Sequence, residues 1–400
     1  MSARRLLKPG ESRDLALVAG LFFLPLGLQL PYFPVWLGAR GWSEGEIAAA
    51  LAAPLVLRVV VTPLVARFAD RRGLGLALLL CALAIACGYA FLAAVEGFAP
   101  VFFGALVVSL AMGSSPALCD ALTVSAMRRA EVEGRTPVAY GHIRVWTSIG
   151  VLAVMLASPL LVRLFPGERI IHALLLLSMA SLGAGALAFR RMNRVHTLVQ
   201  ERGGRLTADR ARLRLAAMAI MAASFIQASH AQVYAFGTLE WRAAGLSAFA
   251  ISLAWAIGVA AESALFIVAG RLFRSERASI CLLLAGAFGA SFRWIAMSFG
   301  PPGWAVILLQ TLHALSYGAT TIGGVLLLGA LATPTHRARM QGWLSAASAL
   351  SLAAATFAAG ALTAAFGAGA YLAMAALALL GAGAALVAGV LRARLPPPPC

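Results

Sequence analysis

The sequence predicts an all-α integral membrane protein with twelve transmembrane helices in two six-helix bundles. Three observations carry that expectation. The 400-residue chain is 61% hydrophobic and only 12% charged, against about 25% charged for soluble domains. Its apolar runs match the roughly 20 residues that cross a bilayer's hydrocarbon layer. Its arginines gather on alternate connections between those runs, as on cytoplasmic loops.

Breaking the chain at Gly, Pro and charge clusters places the spans near 15–38, 46–68, 74–95, 98–126, 140–164, 169–189, 213–238, 247–270, 278–299, 303–330, 339–364 and 368–391. The first follows a basic segment, MSARRLLKPGESRD. Its apolar run from Leu15 to Leu37 is too long for a signal-peptide core and lacks a small-residue cleavage site, so it reads as an uncleaved helix. Pro25, Pro31 and Pro34 in this span, and Pro54 and Pro63 in the next, are compatible with bent membrane helices. After the sixth span comes the most polar stretch, 190–212, read as a cytoplasmic linker between bundles at 1–189 and 213–394. Small residues dominate the last two spans, which allows close helix packing. Residues 395–400, LPPPPC, form a short tail.

The basic connections are the N-terminus, those around Arg71, Arg128, Arg274 and Arg337, the linker, and the C-terminal Arg392 and Arg394. The opposite side holds only Arg40, Arg163, Arg169 and Arg242, each with an acid nearby. Both termini are therefore expected in the cytoplasm of a cell bounded by a bacterial-type inner membrane. The formal charge of +17 then reports topology and not a nucleic-acid partner. The five cysteines lack paired or zinc-type spacing, so neither disulfide, metal nor other cofactor is expected.

Five charged residues remain inside the spans: Arg58, Asp120, Arg144, Glu262 and Arg293. Intramembrane charges are costly, face a bundle interior or a watery cavity, and pair with one another. They serve either as ion pairs that lock helices or as the lining of a polar cavity, and five spread over both halves favour the cavity. Gln227, His230 and Tyr234 recur at i, i+3 and i+7, as do Gln310, His313 and Tyr317, which sets each trio on one helical face. Trp255, Gly258 and Glu262 form a third such face, and Trp146 and Tyr234 offer aromatic walls. Three arginines against two acids leave one spare positive charge, which suits an anionic substrate.

The stretch ARFADRRG (66–73) resembles the cytoplasmic loop motif of the major facilitator superfamily through Asp70, Arg71 and Gly73; Ala66 stands in place of its glycine and Leu74 in place of a basic residue. PALCDALTVSAM (116–127), YGHIRVWTSIG (140–150), IQASHAQVYAF (226–236), GVAAESALF (258–266), FRWIAM (292–297) and LLQTLHALSYG (308–318) resemble the 3-phenylpropionate transporter family. That family is similar in turn to the lactose permease and nucleoside permease proton symporters. The resemblance implies a proton symporter, driven by the proton gradient, that takes up a small aromatic carboxylate by alternating access; a monomer is the expected state. It implies that Glu262, Arg293 and His313 belong to the coupled substrate and proton site, that Arg144 matches the fifth-span arginine that contacts substrate, and that Asp120 lies close to the position of the pattern's fourth-span acid. Ser316 stands where the lactose permease pattern has its proton-carrying tenth-span acid, which leaves Glu262 as the candidate proton carrier. Gln227, His230, Tyr234, Trp146 and Arg58 are expected to line the substrate path.

Two further readings stay open: a symporter of a neutral sugar or nucleoside, in which Arg144 and Asp120 bind hydroxyls as a pair, and a non-transporting membrane sensor. The 400 residues contain no large cytoplasmic signalling domain to favour the sensor. The sequence has neither a His-Glu-x-x-His nor a Gly-x-Ser-x-Gly motif, so no enzyme is expected.

Overall fold

A computed structural model describes residues 9–133, 140–192, 210–272, 275–332 and 336–395. Most of the expected linker, the tail beyond Leu395 and the basic residues Arg4, Arg5 and Lys8 lie outside them. The described residues are helical throughout, joined by short turns, and contain no strand.

The helices are α1 (Pro9–Phe22), α2 (Leu24–Ala39), α3 (Glu44–Arg72), α4 (Leu74–Ala94), α5 (Phe98–Val132), α6 (Tyr140–Leu164) and α7 (Ile170–Met192), followed by α8 (Arg210–Ala228), α9 (Ala231–Ala243), α10 (Ala248–Leu272), α11 (Glu276–Ser298), α12 (Gly303–Gln310), α13 (Thr320–Leu331), α14 (Arg337–Phe366) and α15 (Ala370–Ala393). Eleven continuous segments are long and apolar enough to cross a membrane. The last, Arg339–Ala393, holds both α14 and α15, joined by a single tight turn at Gly367–Gly369, so the spans number twelve among the described residues.

Three spans are broken. The first breaks at Phe23, where α2 begins with Pro25 in its first turn; proline has no N–H to continue the ladder and its ring crowds the preceding turn. The seventh breaks at Ser229–His230, between α8 and α9. The tenth breaks after α12 and widens into a π turn, Ala314–Ala319, before α13.

Two compact units result: Met1–Gly41 with Val56–Val199, and Trp42–Leu55 with Gln200–Cys400. The first turns of α3 thus group with the second unit. In the first unit α4 packs on α5 and α7, and α1 on α6 and α7. In the second, α8, α11, α14 and α15 enclose a core of Leu215, Ala219, Ala223, Leu283, Leu327 and Ala385, where alanines let helix backbones approach closely.

Candidate functional site

Two of the broken spans build the polar centre of the second unit. A break frees backbone groups that hydrocarbon cannot satisfy, so such breaks persist where protein encloses them or a cavity is lined, and ion and substrate sites of transporters use discontinuous helices. His230 sits at the break between α8 and α9, its Nδ1 3.2 Å from the Ile226 carbonyl and 3.1 Å from that of Gln227. His313 stands just before the π turn. π turns recur at functional sites.

Arg293 of α11 joins the two breaks. It is 2% exposed. Its Nη1 donates to His313 Nδ1 and to Ser316 Oγ, each at 3.3 Å, and its Nη2 donates to Gln310 Oε1. An arginine has no acceptor, so Nδ1 of His313 accepts and the imidazole proton resides on Nε2. That nitrogen faces Glu262 Oε2 at 3.4 Å. On the other side, Ser316 Oγ is 3.0 Å from Nε2 of His230. Because the His230 Nδ1–H is spent on backbone carbonyls, its Nε2 accepts the serine proton. A single donor order thus runs from Arg293 outward, through His313 to Glu262 and through Ser316 to His230.

Aromatic rings wall this series. His313 stacks on Tyr317 at 5.2 Å, His230 on Tyr234 at 5.6 Å, and Tyr234 on Trp255 at 6.2 Å, while Trp255 Nε1 donates to Thr238. The Trp294 ring lies under the Arg293 guanidinium at 4.5 Å, a desolvated cation–π contact. Gly258 of α10 faces His313 at close range: a β-carbon there would make an ordinary contact with His313 Cβ at 3.5 Å, with no room for a longer side chain. The Nε–H of Arg293 is buried with no acceptor among the described residues.

The sequence-predicted residues therefore divide. Glu262, Arg293, His313, His230, Tyr234 and Gln310 converge in the second unit. The Gln227 side chain turns to Thr321 Oγ1 at 3.2 Å, although its carbonyl anchors His230. Arg293 reaches Glu262 through His313 and makes no direct ion pair with it.

In the first unit Arg144 Nη1 and Asp120 Oδ1 are 3.1 Å apart, with side chains 47% and 41% exposed. Arg58 crosses α5 at Gly113, where a β-carbon would meet its Cδ at 2.8 Å. Trp146, in the second turn of α6, leaves its ring half-exposed. Asp70 and Arg71 are exposed at the end of α3, and Gly73 links α3 to α4 with φ +102°, a backbone that a side chain disfavours.

One residue corrects the charge count. Glu240 lies beyond the seventh span's expected end at 238, beside Arg242 on the outer side, but α9 continues to Ala243 and the carboxylate turns inward, accepting from Gln232 Nε2 at 2.7 Å. Counting it, three acids face three arginines within the spans, so the spare positive charge disappears. The outward-reading cue was the seventh span's expected end at 238, five residues short of the helix.

The MFS_1 like family model matches residues 14–373. A protein of Escherichia coli (strain K12) described as "Probable 3-phenylpropionic acid transporter" is 31% identical over 76% of this chain and 78% of its own length. The maltose permease of Geobacillus stearothermophilus is 28% identical over 74% of each. The crystal structure of the nucleoside transporter NupG superposes with a TM-score of 0.76 at 17% identity, covering 94% of this chain and 98% of that one. A twelve-span helical fold, matched nearly end to end by this family model, is that of a transporter and not an enzyme: the chain belongs to the MFS_1 like family of the major facilitator type.

Proposed function

We propose that this transporter is a proton symporter of the bacterial inner membrane, with both termini cytoplasmic, that takes up a small aromatic carboxylate such as 3-phenylpropionate. The observation that carries the reading is the Glu262–His313–Arg293 series. Ionised Glu262 is the counter-charge of a buried guanidinium, relayed by a neutral imidazole. A proton arriving on Glu262 removes that counter-charge and leaves Arg293 with an unmet positive charge, which a substrate carboxylate satisfies through charge-assisted hydrogen bonds. The unpartnered Nε–H offers one donor for it, and the rings of Tyr234, Tyr317 and Trp255 suit an aromatic body. The bundles at 1–189 and 213–394 then rock to the other side, substrate leaves, and the proton follows. Kinship with the Escherichia coli protein supports the substrate class.

A neutral sugar or nucleoside is the second reading. It is favoured by the Arg144–Asp120 pair, whose paired charges suit hydroxyls, by the even count of acids and arginines, and by similarity to the maltose permease. Uptake of labelled 3-phenylpropionate into proteoliposomes, with and without an inward proton gradient and against protein-free liposomes, tests the first reading. Gradient-driven, protein-dependent uptake supports it. Absence of such uptake together with protein-dependent uptake of labelled maltose or nucleosides would replace it with the second.

A further inference from the structure

Glu240 lies outside the series just described and belongs to a second polar cluster. Gln232, fully buried, gives its amide to Glu240 Oε1 at 2.7 Å and to Thr363 Oγ1 of α14 at 2.8 Å. Thr363 donates to the Ala359 carbonyl at 2.7 Å, which fixes its orientation. From α15 the Tyr371 hydroxyl, 1% exposed and without a formed hydrogen bond, faces the same carboxylate. The direct partners of Glu240 are thus all neutral.

The charged groups on the surrounding helices are few. Arg242, two residues along α9, is exposed. α14 carries only Arg337 and Arg339, in its first turn and far along the helix from Thr363, and α15 carries only Arg392, in its last turn. α10 carries Glu262 and Arg271. His230 precedes α9 but is occupied by Ser316 and two carbonyls. The cation within electrostatic reach of this cluster is Arg293, through Tyr371: the Tyr371 ring stacks on Trp294 at 5.7 Å and 17°, and Trp294 lies under the Arg293 guanidinium.

Glu240 and Glu262 therefore approach one guanidinium by opposite routes, Glu262 through His313 and Glu240 through Tyr371. Glu240 thus has only neutral direct partners, Gln232 and Tyr371, and a largely buried carboxylate without an adjoining cation is stabilised by a bound proton. The surroundings of Glu240 accommodate a neutral acid: Gln232 donates to one oxygen, and a proton on the other has the Tyr371 oxygen as acceptor. Tyrosine serves both states, since its hydroxyl donates to the ionised carboxylate after the proton leaves. Glu240 is partly exposed near the end of α9, which leaves its carboxylate a route for a proton.

We propose that Glu240 is a second proton-loading carboxylate of this carrier, coupled to Arg293 through Tyr371 and Trp294. The proposal rests on the proton-symport reading for its use in transport, but protonation itself is measurable without any substrate. Infrared difference spectra between acid and alkaline pH, taken on the purified protein in liposomes, record the C=O stretch of protonated carboxyl groups. The expected result is a component lost in Glu240→Gln, a different one lost in Glu262→Gln, and a shift in the titration midpoint of the Glu240 component in Tyr371→Phe. Glu240→Asp should keep the component at a changed frequency, as a structural role would not require. A Glu240→Gln spectrum identical to the unmodified one overturns the proposal. If that variant fails to fold, an unmoved carboxyl titration in Tyr371→Phe overturns the coupling. Failure of gradient-driven uptake with these signals present would instead count against symport alone.

Discussion

Nδ1 of His313 accepts from Nη1 of Arg293 at 3.3 Å, and this contact fixes the imidazole proton on the nitrogen that faces Glu262. A doubly protonated His313 would set N–H against N–H at that contact, so proton binding to the histidine and the arginine contact exclude one another. A proton can add to His313 only at Nδ1, and Arg293 must first withdraw from that nitrogen.

Glu262→Gln should abolish accumulation driven by the proton gradient while preserving exchange of substrate across the membrane, since glutamine still accepts from His313 but cannot change charge. Uptake and counterflow measured in the same proteoliposomes separate the two effects. Accumulation at the unmodified level would remove Glu262 from the coupling role.

Arg293→Lys should weaken carboxylate binding about tenfold or more, because an ammonium lacks the planar fork and cannot hold His313, Ser316 and Gln310 together. Binding of 3-phenylpropionate by calorimetry checks it; an unchanged affinity would transfer the contact to Arg144.

Ser316→Ala leaves Nε2 of His230 without its donor and one Arg293 N–H without its acceptor, both in a buried setting. Stability should fall by about 1–3 kcal/mol, the cost of an unmet buried polar group. Thermal unfolding in detergent measures it, and Ser316→Thr, which keeps the hydroxyl, should recover part of the loss.

Asp120→Asn should change stability by less than about 1 kcal/mol, as expected for a half-exposed ion pair, yet alter substrate affinity if the pair lines the path. Unmodified affinity and unmodified stability together would reduce the pair to a surface feature.

Gly258→Ala should be tolerated, since the new β-carbon meets His313 Cβ at an ordinary 3.5 Å. Gly258→Leu has no such room and should push α10 away from the tenth span, separating Glu262 from His313. Uptake by the two variants is the measurement, and equal activity would mean that α10 moves freely there.

The twelve spans were legible because hydrocarbon thickness and arginine placement act along the chain, and because Glu262 and Arg293 interrupt apolar runs in a way that nothing local explains. Glu240 escapes the same logic, because beside Arg242 and beyond the expected end of the seventh span at 238 it falls in an expected connection and not in a span. The trios at i, i+3 and i+7 assumed continuous helices. The break at Ser229–His230 sends the Gln227 side chain to Thr321 while His230 and Tyr234 stay together. The bonding of Ser316 depends on α9, α11 and the tenth span meeting in three dimensions, which spacing within one segment does not encode.

The π turn at Ala314–Ala319 has its own local repair. Thr320 and Thr321 turn their hydroxyls back to the carbonyls of Ser316 and Tyr317 at 2.9 and 2.8 Å. A widened turn whose carbonyls are held by side chains can exchange those clips for backbone N–H groups with little net loss of hydrogen bonding. Such an exchange changes the length and winding of the tenth span by a fraction of a turn, rotating Ser316 and Tyr317 relative to His313 while both ends of the span stay anchored.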